Sequence, residues 1–487
     1  MKQILCILLS VLGWTTGMTQ NPYQIKGKVD CENKGIHGVV VSDGKNCVQT
    51  DEQGNYSLDI DNESQFVFIS TPAGYLTEIK ENTIPLFYEP IDRSSDKEYD
   101  FHLKKNPHDD LNHVFFAQAD VQAVSSENLD TYHTFQNDYL EQLAAYPNTD
   151  IFGIDCGDIT GDNAQLFPPY IEAVKTLNIP IYRAIGNHDM DYNGRSFETS
   201  HHSFESYFGP TCYSFNKGKV HYIVINNNFY IGREVYYIGY IDEKTFQWIE
   251  KDLSFLEKGS PLVIVMHIPT RLTEKQQPFQ FDYNTLADQT VNAEAFHQLI
   301  QDHPTHIISG HMHYNLNICY NDRLMEHNTA AICGTWWCSD ICLDGTPRGY
   351  GIYQVNGNQL TWKYKCIGKP DNYQARVYLP GASQEYPQAI IANVWNWDEQ
   401  WKVEWMEDGK VMGEMTQFTA FDPLAEKICN KAVQTYSWIA PVKTNHLFKA
   451  IPKNPQAQIS VKITDRFGHE YLQPAEDFSS TLLQLNK

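Results

Sequence analysis

The sequence predicts an α/β core held between two all-β segments, and three observations carry that prediction. From about Tyr23 to Leu103, short stretches alternate apolar with polar residues, punctuated by Gly and Asp. From Asn112 to about Gly368 the rhythm changes to apolar runs followed by amphipathic helical repeats. After "GKPDNY" the pattern returns to strands. Period two marks a half-buried strand and period 3.6 a helix with one buried face; their alternation marks helices layered on a largely parallel sheet.

A chain of 487 residues exceeds a single core and points to about three domains. With 42% apolar and 20% charged residues it is globular. The formal net charge is −23, from 60 acidic and 37 basic residues, so the surface repels duplex nucleic acid and anionic lipid. At the start, Lys2 precedes an apolar run from Ile4 to Trp14 and then small and polar residues. That run is too short for a transmembrane segment and reads as a signal peptide ending near Thr19 or Gln20, which implies a periplasmic or extracellular protein. Eleven cysteines occur without any C-x-x-C pair, excluding zinc ribbons and thioredoxin motifs. Export permits disulfides, with Cys31/Cys47 and Cys338/Cys342 as candidate pairs. Cys156 reads as a small buried residue.

The first segment, 21–106, carries "YQIKGKV", "GIHGVVVSDG", "CVQTDEQGNYSLDI" and "SQFVFIST", which predict a small β-sandwich. The piece "GIHGVVVSDGKNCVQTDEQGNYSLDI" resembles the carboxypeptidase-regulatory-like sandwich, which implies a spacer or packing module. In the core, 107–370, the strands are "HVFFAQAD", "DIFGIDCGD", "IPIYRAIGNHD", "VHYIVINNN", "PLVIVMHIP" and "THIISGH". Its helices are "TYHTFQNDYLEQLAAY", "LFPPYIEAVKTL", "EKTFQWIEKDLSFL" and "NAEAFHQLI". "GYGIYQVNGNQLTWKYKC" adds a hairpin turning at Asn356-Gly357. The last segment, 371–487, predicts a second β-sandwich from "AIIANVWNW", "WKVEWMEDGKVM" and "AQISVKITDRFG", with a hairpin turn at Asp408-Gly409.

Five of the six core strands end in polar clusters: Asp120 and Gln122; Asp158 and Asp162; Asn187, His188 and Asp189; His267; His311 and His313. Each has an ordinary explanation alone. Asp158 could shape a turn, Asn187 after Gly186 could sit in a left-handed turn, and His267 could be a hydrogen-bonded core histidine. Their shared position is what matters, because the loops beyond the C-terminal ends of an α/β sheet converge on one crevice. Six or seven oxygen and nitrogen donors gathered there suit two divalent ions.

The series Asp120-x-Gln122, Gly157-Asp158, Gly186-Asn187-His188-Asp189, His267 and Gly310-His311-x-His313 resembles the calcineurin-like metallophosphoesterase superfamily. The resemblance spans about Asn112 to Tyr314, and the flanking sandwiches resemble those of some secreted bacterial members. It implies a four-layer α/β/β/α metallophosphoesterase core with two divalent metal ions (Mn, Fe or Zn) at the strand ends. Carried over motif by motif, Asp158 bridges both ions. Asp120 and His313 complete the first site, with Gln122 as a further ligand; Asn187, His267 and His311 complete the second. His188 is the general acid or charge stabiliser, oriented by Asp189. One departure stands out: many members carry Asp-x-His at the first motif, and Gln122 puts a neutral amide oxygen where they have an imidazole.

Two ions about 3.5–4 Å apart can share a hydroxide, lower the pKa of its parent water and hold a phosphoryl group for in-line attack. No Ser or Cys nucleophile is then needed, and the sequence has no Gly-x-Ser-x-Gly elbow, phosphate-cradling Gly-rich loop or His-Glu-x-x-His helix. The expected enzyme is an exported, metal-dependent phosphoric ester hydrolase acting on a small monoester or diester. Asn163, Arg183, Tyr192, Tyr314, Asn315 and Trp336 are candidate substrate contacts by proximity to the motifs, although Arg183 also suits a structural ion pair and Trp336-Trp337 domain packing. Two other readings compete: a metal-containing glycan-binding surface protein, suggested by 13% aromatic residues, and a nucleotide or phospholipid-headgroup pyrophosphatase. The His188-Asp189 pair argues against the binding protein, which needs no acid above two metals.

Overall fold

The computed structural model describes residues 23–233, 236–274 and 280–478. The signal peptide expected over Met1–Gln20 lies outside them. Two mixed sheets form the core. One runs in the order 181–183, 150–155, 112–118, 349–356 and 359–366; its first three strands are parallel and its last two antiparallel. The other runs 213–217, 220–224, 262–265, 305–309, 324–328 and 316–321, with its four inner strands parallel. Central strands covered on both faces must be apolar throughout. Val220–Val224 and Leu262–Val265 are buried at every position, and the one polar residue among them, His221, is matched by Asn216 and Asp252.

Aromatic rings join the sheets face to face. Phe115 and Phe152 of the first sheet meet Tyr222 of the second edge-on, at ring centroid distances of 5.7 and 5.3 Å. Helices cover the outer faces. Ser126–Ala145 and Phe167–Val174 lie over the first sheet, where Tyr139 stacks on Tyr350 at 4.0 Å. Glu243–Leu253 and Ala293–Ile300 bury Trp248, Ile249, Phe296 and Ile300 in the apolar cluster that holds Val263 and Ile264. This is the α/β/β/α layering expected. The helix expected from Thr131 begins earlier, at Ser126, because Ser125 caps it through the Asn128 N–H at 3.3 Å.

All-β strand pairs flank this core on both sides. Within the N-terminal segment, one sheet is built around Tyr23–Cys31 and a second around Val40–Ser42 and Phe66–Ile69. This segment packs on the core through Phe87, whose ring lies 4.5 Å from that of Tyr213. Within the C-terminal segment, a pair of four-stranded sheets encloses Val377, Ile390, Val403, Val461 and Ile463. The same segment contains a helix, Pro423–Ala432, that the strand-like composition did not suggest; Asp422 caps it by accepting the Leu424 and Ala425 N–H groups at 2.9 Å. The Asp408-Gly409 turn forms as expected, with φ of 47° and 78°. The other hairpin turns at Gly357-Asn358 rather than Asn356-Gly357: Asn356 pairs with Gln359, and Gly357 takes the positive φ of 62°. All ten described cysteines are free thiols, so neither candidate disulfide is present. Among the described residues no helix is long and apolar enough to cross a membrane.

Two histidines withdrawn from water make the fold sensitive to acid. Burial pushes His113 down to about 4, and burial with the nearby Arg466 does the same to His306. Between pH 6.5 and 4 the unfolded chain therefore binds protons that the folded chain refuses, and stability falls as pH falls through that window, by up to about 1.4 kcal/mol per pH unit for each histidine. Guanidinium midpoints should drop between pH 7 and 5, and the drop should shrink in His306→Phe. Midpoints that do not move with pH would contradict this.

Candidate metal centre

The site is built from loops that leave the C-terminal ends of the central strands. Asp120 follows 112–118, Asp158 follows 150–155, Asn187 follows 181–183, His267 follows 262–265, and His311 and His313 follow 305–309. Main-chain bonds knot these loops together: Asp120 N donates to Gly157 O at 3.0 Å, Gln122 N to Asp158 O at 2.7 Å, and Gly310 N to His267 O at 3.0 Å. Asparagines at the end of 220–224 add two staples, with Asn228 Nδ2 on Ile185 O at 2.8 Å and Asn227 Nδ2 on Ile268 O at 2.6 Å.

The close approach strains the backbone. Asp120, Gln122, Asp158, His311 and His313 all adopt left-handed φ, between 41° and 72°. Each such residue costs on the order of 1 kcal/mol and persists only where surrounding contacts over-determine it. Gly310 is required here for a different reason, since its φ is not positive: a Cβ would lie 2.5 Å from Ala119 Cβ and 2.8 Å from Asp120 Oδ2.

His267 is the centre of the donor set. Its Nδ1 sits 2.8 Å from the Cys156 carbonyl, which takes that N–H and turns Nε2 inward. Around Nε2 lie Asn187 Oδ1 at 3.0 Å, Asp158 Oδ2 at 3.2 Å and His311 Nδ1 at 3.2 Å. One proton at Nε2 can serve one acceptor at a time, whereas a divalent cation accepts from all four donors. Asp158, His267 and His311 each offer an atom within 4.8 Å of the others. Burial opposes charge on His267, but Asp158 more than offsets it and raises the imidazole to about 9. Burial likewise opposes ionisation of Asp158, while His267 and His188 hold its carboxyl below the ordinary range. His311 is driven well down by burial and by His267. A second group lies beside this one. Asp120 Oδ1 is 3.5 Å from His313 Nε2, and Asp120 accepts the His311 N–H at 3.0 Å, linking the two groups. Asp158, His267 and His311 therefore fit a cation, and the Asp120–His313 pair extends the donor set beside them.

Three family models match the chain in tandem: "N terminal of Calcineurin-like phosphoesterase" over 23–106, "Calcineurin-like phosphoesterase" over 100–315, and "C terminal of Calcineurin-like phosphoesterase" over 326–471. The chain belongs to the calcineurin-like phosphoesterase family. Among solved structures, this phosphoesterase is similar to a dimetal phosphatase from Danio rerio, at 13% identity and a TM-score of 0.39, over 53% of this chain and 97% of that one. It is also similar to the purple acid phosphatase PPD1 from yellow lupin seeds, at 13% identity and a TM-score of 0.40, over 69% of this chain and 68% of that one. No curated protein shows significant sequence similarity to it.

The phosphoesterase departs from expectation in how His188 is held. Asp189 does not touch the imidazole. It accepts the N–H groups of Ile159, Thr160 and Gly186 at 3.1, 2.9 and 3.0 Å, and so locks the Asp158 and Asn187 loops together. The partner of His188 is Asp162, whose Oδ1 lies 2.7 Å from Nδ1. Adjacent positions in a tight turn point their side chains apart, while the second Gly-Asp of "CGDITGDN" folds back toward the ring. Burial lowers the proton affinity of His188, and Asp158 and Asp162 reverse this to leave it raised.

The candidate substrate contacts divide. Tyr192 stays at the rim, its hydroxyl donating to Asn187 O at 2.8 Å, and Trp336 stacks on His313 at 4.2 Å. Tyr314 is half-buried beside the ligand loop, and Asn163 caps a helical turn by accepting the Gln165 N–H at 3.1 Å. Arg183 is 3% exposed and turned away, bonded to Thr83 and Ile181 and packed over Tyr170 and Phe208, so it anchors the N-terminal segment and has no access to substrate. Asn315 also points inward, accepting the Ala330 N–H at 2.7 Å. Tyr237, 6.0 Å from the His311 ring, joins the rim without any local signal in the sequence.

Asp158→Asn should lower metal content, because it removes the carboxylate that faces both His267 Nε2 and the His188 N–H; elemental analysis of the purified chain checks this. Asp162→Asn should keep the metal and reduce turnover roughly 10–100-fold, as loss of an orienting partner does. Metal loss in Asp162→Asn would place that carboxylate elsewhere in the site.

Proposed function

We propose that this phosphoesterase is an exported, dinuclear-metal-dependent hydrolase of small phosphate monoesters or diesters. The observation that carries the reading is the convergence of Asp158, Asn187 and His311 within 3.2 Å of His267 Nε2, whose other nitrogen is committed to Cys156. Asp120, Gln122, Asp158 and His313 would hold the first ion; Asp158, Asn187, His267 and His311 the second. When bound, such ions neutralise the phosphate charge and supply an activated water nucleophile.

The chain's own residues do the rest. Asp158 accepts the His188 N–H through Oδ1 at 2.8 Å while Oδ2 faces His267, so the loop bearing the acid is tied to the carboxylate that would hold metal. His188, with Nδ1 held by Asp162 and a side chain 31% exposed, keeps Nε2 available to protonate a leaving oxygen. Burial of Asp120, Asp158, Asn187 and His267, each at most 2% exposed, keeps competing water from their donor atoms. Export rests on the Met1–Gln20 pattern alone.

Hydrolysis of aryl phosphate monoester and diester reporters by the metal-loaded chain, abolished by a chelator and restored by added metal, is the expected result. A pure chain that holds metal and turns over no phosphoester would overturn the reading in favour of a binding protein. His188→Ala should retain metal and lose about 10²–10⁴ in turnover on a poor leaving group; full activity there would remove His188 from its role.

A further inference from the structure

The ring of His313 is held from three sides. Ala331 bridges Ala119 in parallel, with Ile332 N donating to Ala119 O and Cys333 N to Asp120 O, both at 3.0 Å. This pairing carries the fully buried Cys333 into the site. Its sulfur lies 3.7 Å from His313 Nδ1, 3.8 Å from Gln122 Oε1 and 3.7 Å from the carbonyl of the next residue, Gly334. On the opposite edge of the ring Nε2 faces Asp120, and Trp336 covers one face with an interplanar angle of 21°.

A histidine that ligates through one nitrogen donates the N–H of the other to a partner that fixes its tautomer and orientation, usually a carboxylate, a carbonyl or water. His267 follows that pattern through the Cys156 carbonyl. For His313 the partner at Nδ1 is a sulfur. Gln122 raises a related problem: an amide is a flexible neutral ligand that can present either its oxygen or its nitrogen. The indole of Trp337 donates to Val121 O at 3.1 Å and so steadies the Gln122 backbone, leaving the amide tip to the thiol.

We propose that Cys333 is the positioning residue of the first ion, its sulfur accepting the Nδ1–H of His313 and its S–H donating to Gln122 Oε1. One buried thiol then fixes an imidazole tautomer and an amide orientation together. The sulfur is not itself a ligand, because it and Asp120 lie off opposite nitrogens of the same ring. This inference rests on the two-ion reading above.

The test is metal stoichiometry by elemental analysis and affinity by chelator competition, on the full chain as wild type, Cys333→Ala and Cys333→Ser. Cys333→Ala should weaken one of the two ions by roughly 10–100-fold and leave the other at wild-type affinity, which also reports an intact fold. Cys333→Ser, with a hydroxyl that both accepts and donates, should recover most of the loss. Wild-type affinity for both ions in Cys333→Ala, or a serine variant no better than alanine, would overturn the proposal. So would a sulfur-to-metal charge-transfer band in the cobalt-substituted protein that disappears in Cys333→Ser, since it would make the sulfur a direct ligand. A wild-type chain that binds no ion would fail earlier, at the two-ion reading.

Discussion

The structure depends on one electrostatic constraint: oxygen and nitrogen donors are buried side by side without enough protons to satisfy them. Asp120, Asp158 and His267 are each no more than 1% exposed, and the acceptors around His267 Nε2 lie within 3.2 Å of it. Asp158 and His267 partly offset each other, but removing so many polar groups from water is costly in a medium of low dielectric, so the polypeptide must hold them there. The left-handed backbone at five donor-bearing residues is where that work is visible. Main-chain bonds between the loops and the aromatic seam between the sheets brace the arrangement from outside.

The C-terminal segment contributes to this bracing. Asp344 Oδ2 accepts the Asn315 N–H at 3.0 Å and lies 3.0 Å from His446 Nε2, while His446 Nδ1 meets Asn393 Oδ1 at 2.7 Å. Leu343 N donates to His313 O at 3.2 Å. The loop that ends the fifth donor-bearing strand is therefore tied into the C-terminal sheets rather than hanging free. The match of the C-terminal family model from residue 326, within the second core sheet, agrees with this sharing of elements.

Much of the layout was legible in the chain. Strands such as "PLVIVMHIP" announce themselves because a strand covered on both faces has to be apolar along its length, and the polar residue that ends such a run has few structural reasons to be there. The missed helix at Pro423–Ala432 shows the limit: "DPLAEKICNKA" sits among strand-like segments, and its capping Asp422 is also bonded to Tyr378 and Asn393, contacts invisible in a local window. Arg183 fell to the same limit. Proximity to a motif in sequence says nothing of which way a side chain turns, and the aromatic pocket beside Thr83 took it.

By itself the sequence determined the fold class and which residue types end which strands, because periodicity and burial are encoded locally. It could not decide what each polar group touches. That Asp162 rather than Asp189 meets His188, and that Cys333 reaches Gln122 across 211 positions of chain, follow from how the loops pack in three dimensions. Contacts of a few ångströms between distant residues are set by the sum of the packing, and no short stretch of residues records that sum.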